Sequence, residues 1–494
     1  MNKNGSIELN SFANASAVQS NYNIFTPLKN NRYLVYNSLK ASFALWDKDD
    51  MSLYKKAKKR NYSVHDNQIK EMVYGGYLTS SAVSEMELLQ NKYNATRKGS
   101  RSMTMTVAPT LGCNFACDYC FQGLDKAFAT MDDEIQNAIV ETVKHISPKL
   151  HSIQMAWYGG EPLIERKLIY KMSERIIEVC KETQTGYTAF VVTNGWFLNV
   201  EVAKRLEELF VKRIQVTLDG PALFHDEQRY LLSRKPTFHR IIENLQNIVN
   251  NDINIFFDIR VNIDTRNQDH IIALIDTMEE YGLSGKNLGM YFAPVEGITE
   301  GCHDASATSM SKKKYGILEA DLYRYAFEKK LTSLPYPPNF FGLCTATNPK
   351  SVVVVPNGDL HKCWDTVSWP SMAVGNIKDY DSIFSDDRYI KWNSWSPFDD
   401  PICNNCKILP NCAGACAYKF VHNDKLRGEA AALPCPSWKY NINERLFLRA
   451  EKLGMVKKED WDDSISVTNL ETRDHQYDKK TRTSKLQTQI LAPA

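Results

Sequence analysis

A chain of 494 residues has room for two to four domains. Its 60 basic and 58 acidic residues leave a net charge of +2, which carries no sign of a nucleic-acid or membrane partner, and no apolar run approaches a membrane span. The opening Met-Asn-Lys-Asn-Gly-Ser lacks the pattern of a secretory signal, so a cytoplasmic location is expected, where twelve cysteines point to metal rather than disulfides.

In chain order, residues 1–20 are polar and unpatterned and read as disordered. Residues 21–95 read as a small separate unit, with short strands at 33–36 and 42–46 and helices at 50–60 and 63–74. Gly75-Gly76 stops the second helix, and a polar helix follows from Ser84. From 100 to 300, strand and helix patterns alternate. Strands are predicted at 103–108, 153–157, 188–193, 214–218, 255–263 and 289–293, and helices at 132–147, 167–182, 200–211, 237–250 and 268–281. Six such units imply a parallel sheet. Cys180, on the helix 167–182, reads as a small buried hydrophobe. Residues 301–343 read as a linker. A strand at 351–355, a turn at Pro356-Asn357-Gly358 and a helix at 437–453 lie within a unit spanning 344–455, and 456–494 is a polar tail.

Apart from Cys180 and Cys302, the cysteines form two groups. Cys113, Cys117 and Cys120 are spaced C-x3-C-x2-C directly after the strand 103–108. Three thiolates on one loop can hold three irons of a [4Fe–4S] cluster and leave the fourth iron open. A loop leaving the C-terminal end of a strand is where α/β folds build active sites. The competing reading is a zinc site or three buried thiols, although zinc takes four ligands in paired spacings.

With Tyr119 just before its last cysteine, this run resembles the motif of radical S-adenosylmethionine (SAM) enzymes. The resemblance implies that the open iron chelates SAM and that reduction of the cluster yields a 5′-deoxyadenosyl radical. Further runs resemble the same family. Trp157-Tyr158-Gly159-Gly160-Glu161-Pro162 matches its GGEP motif, which implies that Gly159, Gly160 and Glu161 contact the cofactor's amino group. Thr193-Asn194-Gly195 ends the next strand in the family's manner. Thr217-Leu218-Asp219-Gly220-Pro221 is similar to the SLDGP run of the peptide- and sulfatase-modifying branch, with Thr217 at the cofactor, and His225, Asp226 and Arg229 continue that pattern. Arg240 matches an arginine that pairs with the cofactor carboxylate, and Asn262 is placed to face its ribose. Asp219 is a catalytic candidate, or equally a turn residue before Gly220-Pro221.

The second group reads C-x13-G-x4-C, then C-x2-C-x5-C-x3-C, then a last cysteine. It resembles the seven-cysteine SPASM domain, with Gly358 in place. The resemblance implies two auxiliary [4Fe–4S] clusters, a distal one on Cys403, Cys406, Cys412 and Cys435 and a proximal one on Cys344, Cys363 and Cys416. No cysteine lies between Cys344 and Cys363, so the proximal cluster has an open iron in this reading unless Cys302 closes it. Two zinc knuckles are the competing reading.

The fold class implied is α/β: a partial (β/α)6 radical SAM barrel over 100–300, a C-terminal Fe–S SPASM domain, and an N-terminal unit resembling the winged-helix-like peptide-recognition module of peptide-modifying radical enzymes. The function implied is hydrogen abstraction from a ribosomally made precursor peptide with a leader, to install a thioether, C–C or ether cross-link. The cofactors would be SAM and three [4Fe–4S] clusters, and a flavodoxin or ferredoxin would be the reductant. The alternatives are an anaerobic sulfatase-maturating enzyme forming formylglycine and a non-catalytic Fe–S electron carrier. The maturating branch has an Asp directly after the second SPASM cysteine. Here Trp364 follows Cys363 and Asp365 comes one residue later, which puts Asp365 in doubt as the base.

Overall fold

The computed structural model describes residues 17–57, 67–123, 128–333, 344–426 and 435–462. Strands β1 (Ala17–Gln19), β2 (Asn23–Leu28), β3 (Arg32–Asn37), β4 (Ser42–Trp46) and β5 (Leu78–Ser80) form two small antiparallel sheets, β2-β3-β4 and β1-β5. The helices Lys48–Ala57, Asn67–Tyr74 and Glu85–Gly99 accompany them.

The centre of the molecule is a run of parallel strands: β6 (Ser102–Val107), β7 (Ser152–Trp157), β8 (Gly186–Thr193), β9 (Val211–Thr217), β10 (Phe256–Ile263) and β11 (Leu288–Pro294). Each neighbours its successor, as short β/α connections favour. The strands alternate in character. In β10, Phe257, Ile259, Val261 and Ile263 are buried in the core, while Arg260 and Asn262 line the inner cavity. Gln215 and Thr217 of β9 line it as well, with Thr217 paired in register to Arg260. The period of two therefore makes one face apolar and the other a polar chamber.

The crossover helices Asp133–Ile146, Arg166–Glu182, Val200–Glu208, Phe238–Val249 and Ile271–Glu280 agree with the predicted spans to within a few residues. Asp132 and Asn199 cap two of them by accepting from Ile135 N and Val202 N. Cys180 is buried in this core, and burial pushes its thiol up to about 11.

The sheet continues past β6. Strand β12 (Val352–Val354) pairs parallel to it, and β13 (Asp359–His361) and β14 (Gly375–Asn376) add antiparallel, giving nine strands in the order β11-β10-β9-β8-β7-β6-β12-β13-β14. The turn between β12 and β13 needs Gly358. Its φ is +85°, and a Cβ there would lie 2.6 Å from Ile135 Cδ1.

The ends of the chain pack on each other. Ile24 and Tyr36 meet Ile408, Ile442 and Leu446, while Leu28 and Leu34 meet Phe447 and Ala450. Thr26 donates to Asn443 (3.0 Å) and Asn411 to Tyr36 (2.8 Å).

Three expectations are corrected. Residues 17–20 are ordered, because β1 pairs with β5 and buries Ala17; the rest of the stretch, 1–16, lies outside the described residues. The region taken as a linker carries the helix Lys312–Glu328, capped by Ser311, which buries Tyr315, Leu322 and Tyr323 and packs against the helix Trp438–Lys452. The polar tail begins later than 456: Val456 is buried, Trp461 meets Phe447 edge-on and Asp460 pairs with Arg32. Residues 463–494 lie outside the described residues, as do 58–66, which carry the junction predicted between two helices.

Candidate functional site

The loop after β6 carries Cys113, Cys117 and Cys120 into a cavity of about 420 Å³ over the polar ends of the parallel strands. Cys113 and Cys117 are each 7 % exposed. Phe115 N donates to Cys113 Sγ at 3.4 Å, and Asn194 Nδ2 approaches the same sulfur at 3.8 Å. Tyr119 fixes the loop. Its hydroxyl donates to Asp219 Oδ2 and accepts from Arg229 Nη1 (2.8 Å) and Asn262 Nδ2 (3.2 Å).

The Gly159-Gly160 turn presses against this loop. Gly160 N donates to Thr110 O (3.2 Å) and Glu161 N to Gly112 O (2.9 Å), and a Cβ on Gly160 would lie 2.1 Å from Gly112 O. Both glycines line the cavity, so backbone is what this motif presents to a ligand. The Glu161 side chain turns away from it. It is fully buried and accepts from Thr193 Oγ1 (2.7 Å), Asn194 N (2.6 Å) and Leu163 N (3.0 Å), which clamps the β7 and β8 loops together. Burial pushes its carboxyl up to about 7 against these donors.

Thr217 and Asn262 face the cavity as expected. Asp219 lies beneath it, fully buried, accepting from Asn262 N (2.8 Å) and Tyr119 and lying 3.8 Å from Arg229 Nε. Burial raises its carboxyl despite Arg229. Arg240 is placed elsewhere: it is exposed, donates to Trp196 O (3.0 Å) and lies 4.5 Å from the Trp196 ring centroid. The cavity's cations are Arg229 and Arg260. Arg260 was missed by motif reading, although its inward register beside Thr217 and Asn262 marks it.

The same cavity reaches the second cysteine group through Cys302, Trp364 and Asp365. The Trp364 ring sits on Tyr158 with centroids 3.8 Å apart. Two sets of thiols act on one another's ionisation. Burial pushes the Cys363 thiol well up, and Asp365, Cys416 and Cys344 add to it. Burial also raises Cys416, to about 12, with Asp365 adding and Lys419 opposing. In the other set, burial raises Cys403, and Cys412, Asp400, Cys435 and Cys406 add to it. Lys439 Nζ lies 3.7 Å from Cys435 Sγ. The division into Cys344, Cys363, Cys416 and Cys403, Cys406, Cys412, Cys435 remains what the resemblance implies.

Buried thiols with raised pKa values need a metal to deprotonate them, and ammonium groups beside them offset the charge that results. Among the described residues, no three His, Cys, Asp or Glu side chains converge closely enough to hold one ion. The three thiols Cys113, Cys117 and Cys120, gathered on one loop at the cavity wall, are a donor set that fits one iron–sulfur cluster.

The radical SAM superfamily model matches residues 107–278, the stretch that holds the first cysteine loop, both glycines and Asn262. These residues form a radical SAM domain. Such a domain implies SAM and one [4Fe–4S] cluster. Curated relatives include the radical SAM cyclopropyl synthase TigE of Paramaledivibacter caminithermalis, 22 % identical over 78 % of this chain and 83 % of that protein. A cysteine-type anaerobic sulfatase-maturating enzyme of Clostridium novyi is 22 % identical over 64 % of this chain and 88 % of its own. A solved structure of native anSMEcpe with bound AdoMet and a Cp18Cys peptide shares the fold, with a TM-score of 0.55 at 18 % identity over 71 % of this chain and 99 % of that one. Around the radical SAM domain the chain keeps its added N-terminal sheets and the thiol sets beyond residue 344. No described helix is long and apolar enough to cross a membrane.

Proposed function

We propose that this chain modifies a ribosomally made precursor peptide by hydrogen abstraction, installing an intramolecular cross-link, with SAM, one SAM-binding [4Fe–4S] cluster and two auxiliary ones. The observation that carries the reading is the shared cavity, lined at one end by Cys113, Cys117 and Cys120 and at the other by Trp364 and Asp365 beside Cys363. Cys113, Cys117 and Cys120 would hold the first cluster, with the Gly159-Gly160 backbone, Thr217 and Asn262 around the cofactor. When bound, SAM and its cluster supply a carbon radical able to take hydrogen from an unactivated carbon. The chain's own residues orient and shield that chemistry. Tyr119, Asp219 and Arg229 hold the loop, and the core packed around the strands keeps water from its far side. Cys403, Cys406, Cys412 and Cys435 would hold a distal cluster and Cys344, Cys363 and Cys416 a proximal one, able to accept the second electron that cross-linking releases. The small sheet β2-β3-β4 would bind the leader by adding a strand at its edge. A flavodoxin or ferredoxin would supply electrons.

The relatives support a peptide or protein substrate, since one is a cyclopropyl synthase and another a sulfatase-maturating enzyme. The second reading, formylglycine formation, is favoured by Asp365 at the cavity wall. Co-expression with the short peptide encoded beside the gene, followed by tandem mass spectrometry, separates the two. Loss of hydrogens within the core peptide is the expected result. Modification of a Cys- or Ser-type sulfatase peptide with no change in the neighbouring peptide would overturn it. Purified reduced protein should cleave SAM and carry about twelve irons per chain.

A further inference from the structure

The sequence leaves the proximal thiol set one ligand short. Cys180 is buried in the barrel core, in the helix Arg166–Glu182. Cys302 is 3 % exposed and packs with Val295 and Ala305; its sulfur is 3.2 Å from Thr299 Oγ1 and 3.7 Å from Glu296 O. Those contacts hold Cys302 on the β11 side of the cavity.

Asp365 is placed differently. Its Oδ2 lies 3.6 Å from Cys363 Sγ, and it lines the cavity wall beside Trp364. The turn that carries it, Trp364–Thr366, is locked on both sides. Thr366 Oγ1 donates to Cys363 O (2.7 Å) and meets His361 Nδ1 (3.0 Å), while the Trp364 ring lies tilted against Tyr158.

We propose that Asp365 is the fourth protein ligand of the proximal iron–sulfur cluster. The inference rests on the auxiliary-cluster reading above and deepens it. A carboxylate oxygen is a harder and weaker donor to iron than a thiolate, so one corner of the cluster is more exchangeable than the other three. Asp365 also lines the cavity shared with Cys120 and Gly160, so a substrate thiolate or other soft group arriving there can displace it. The one-residue shift relative to the maturating branch thus gives the carboxylate to iron rather than to proton transfer.

The test uses the full chain with Cys113→Ala, Cys117→Ala and Cys120→Ala, so that only auxiliary clusters load. This parent should hold about eight irons by chemical analysis. Adding Asp365→Ala should retain the distal cluster, change the Mössbauer and EPR spectra of the proximal one, and lose about one iron per chain on mild oxidation. Cyanide or a small thiol should then perturb its EPR signal at lower concentration than in the parent. Asp365→Cys should restore oxidation resistance and shift the proximal potential downward, which a folding defect would not do. If parent and Asp365→Ala both hold about eight irons with identical spectra and identical cyanide response, the carboxylate is not a ligand and the auxiliary clusters stand. If the parent itself holds about four irons or none, there is no proximal cluster, and both readings fall.

Discussion

At the scale of single residues, the node of the site is a buried set of polar groups that touches the cavity from below. Tyr119, Asp219, Arg229 and Asn262 are joined by hydrogen bonds, and three of them come from different loops. Asp219 is the charge that offsets Arg229, whose side chain is 8 % exposed. Asp219→Ala should therefore destabilise the chain by about 3–5 kcal/mol, because it leaves a buried guanidinium without its partner. Urea unfolding midpoints of the two proteins measure this, and first-cluster occupancy should fall with them. An unchanged midpoint with lost turnover would instead make Asp219 a group acting on substrate. The motif reading found Asp219 and Arg229 but not their partnership, since the residues are joined through Tyr119 and not by spacing. It also placed Arg240 at the cofactor, whereas this arginine stacks on Trp196 at the surface.

At the scale of elements, the exit of β11 is tied to the C-terminal thiol region by one carboxylate. Glu296 pairs with Lys312 and with Lys419, which follows Cys416 closely in the chain. Burial alone would raise the Glu296 carboxyl, but Lys419 and Lys312 override it and hold it at about 2. The folded value lies below the 4.5 of a free glutamate, so the tie is fully present above about pH 4.5 and is lost as pH falls through about 2. Glu296→Gln should cost about 3–5 kcal/mol near neutrality, where it removes the charge that pairs with two buried ammonium groups. The gap between variant and native protein should narrow in urea titrations near pH 3, because the native carboxyl has begun to lose its advantage there. A gap independent of pH would refute the electrostatic account. The parallel order of β6–β11 was legible from six alternating patterns, because apolar runs of strand length separated by amphipathic helices admit few topologies. The addition of β12 to the edge of β6 was not. A three-residue strand of valines carries no information about which edge it joins.

At the scale of the whole molecule, the N-terminal sheets and the last helix share cores. Leu28 and Leu34 pack on Phe447, and Tyr22, Leu39, Leu89 and Tyr93 pack on Cys403 and Leu409. A module that recognises a leader would then stand directly on the distal thiol loop. Phe447→Ala should cost about 3–5 kcal/mol. It should also lower amide-exchange protection in β2 and β3 together with the helix Trp438–Lys452, since both sides of the shared core lose contacts. Loss of protection in the helix alone would show that the N-terminal sheets are stabilised independently.

The sequence by itself determined the radical SAM core of this chain. Cysteine spacing, the Gly159-Gly160 pair and the β/α alternation are local patterns, and local patterns are what covalent neighbours can encode. The division of the seven later cysteines into two sets rests on the family resemblance. Only the tertiary structure decided the rest: that Glu161 clamps loops while backbone lines the cavity, that Arg229 and Arg260 rather than Arg240 supply its cations, and that Asp365 lies against Cys363 at the cavity wall. Each of these depends on which way a side chain leaves its loop once distant segments have packed, and residue spacing along the chain carries no record of that direction.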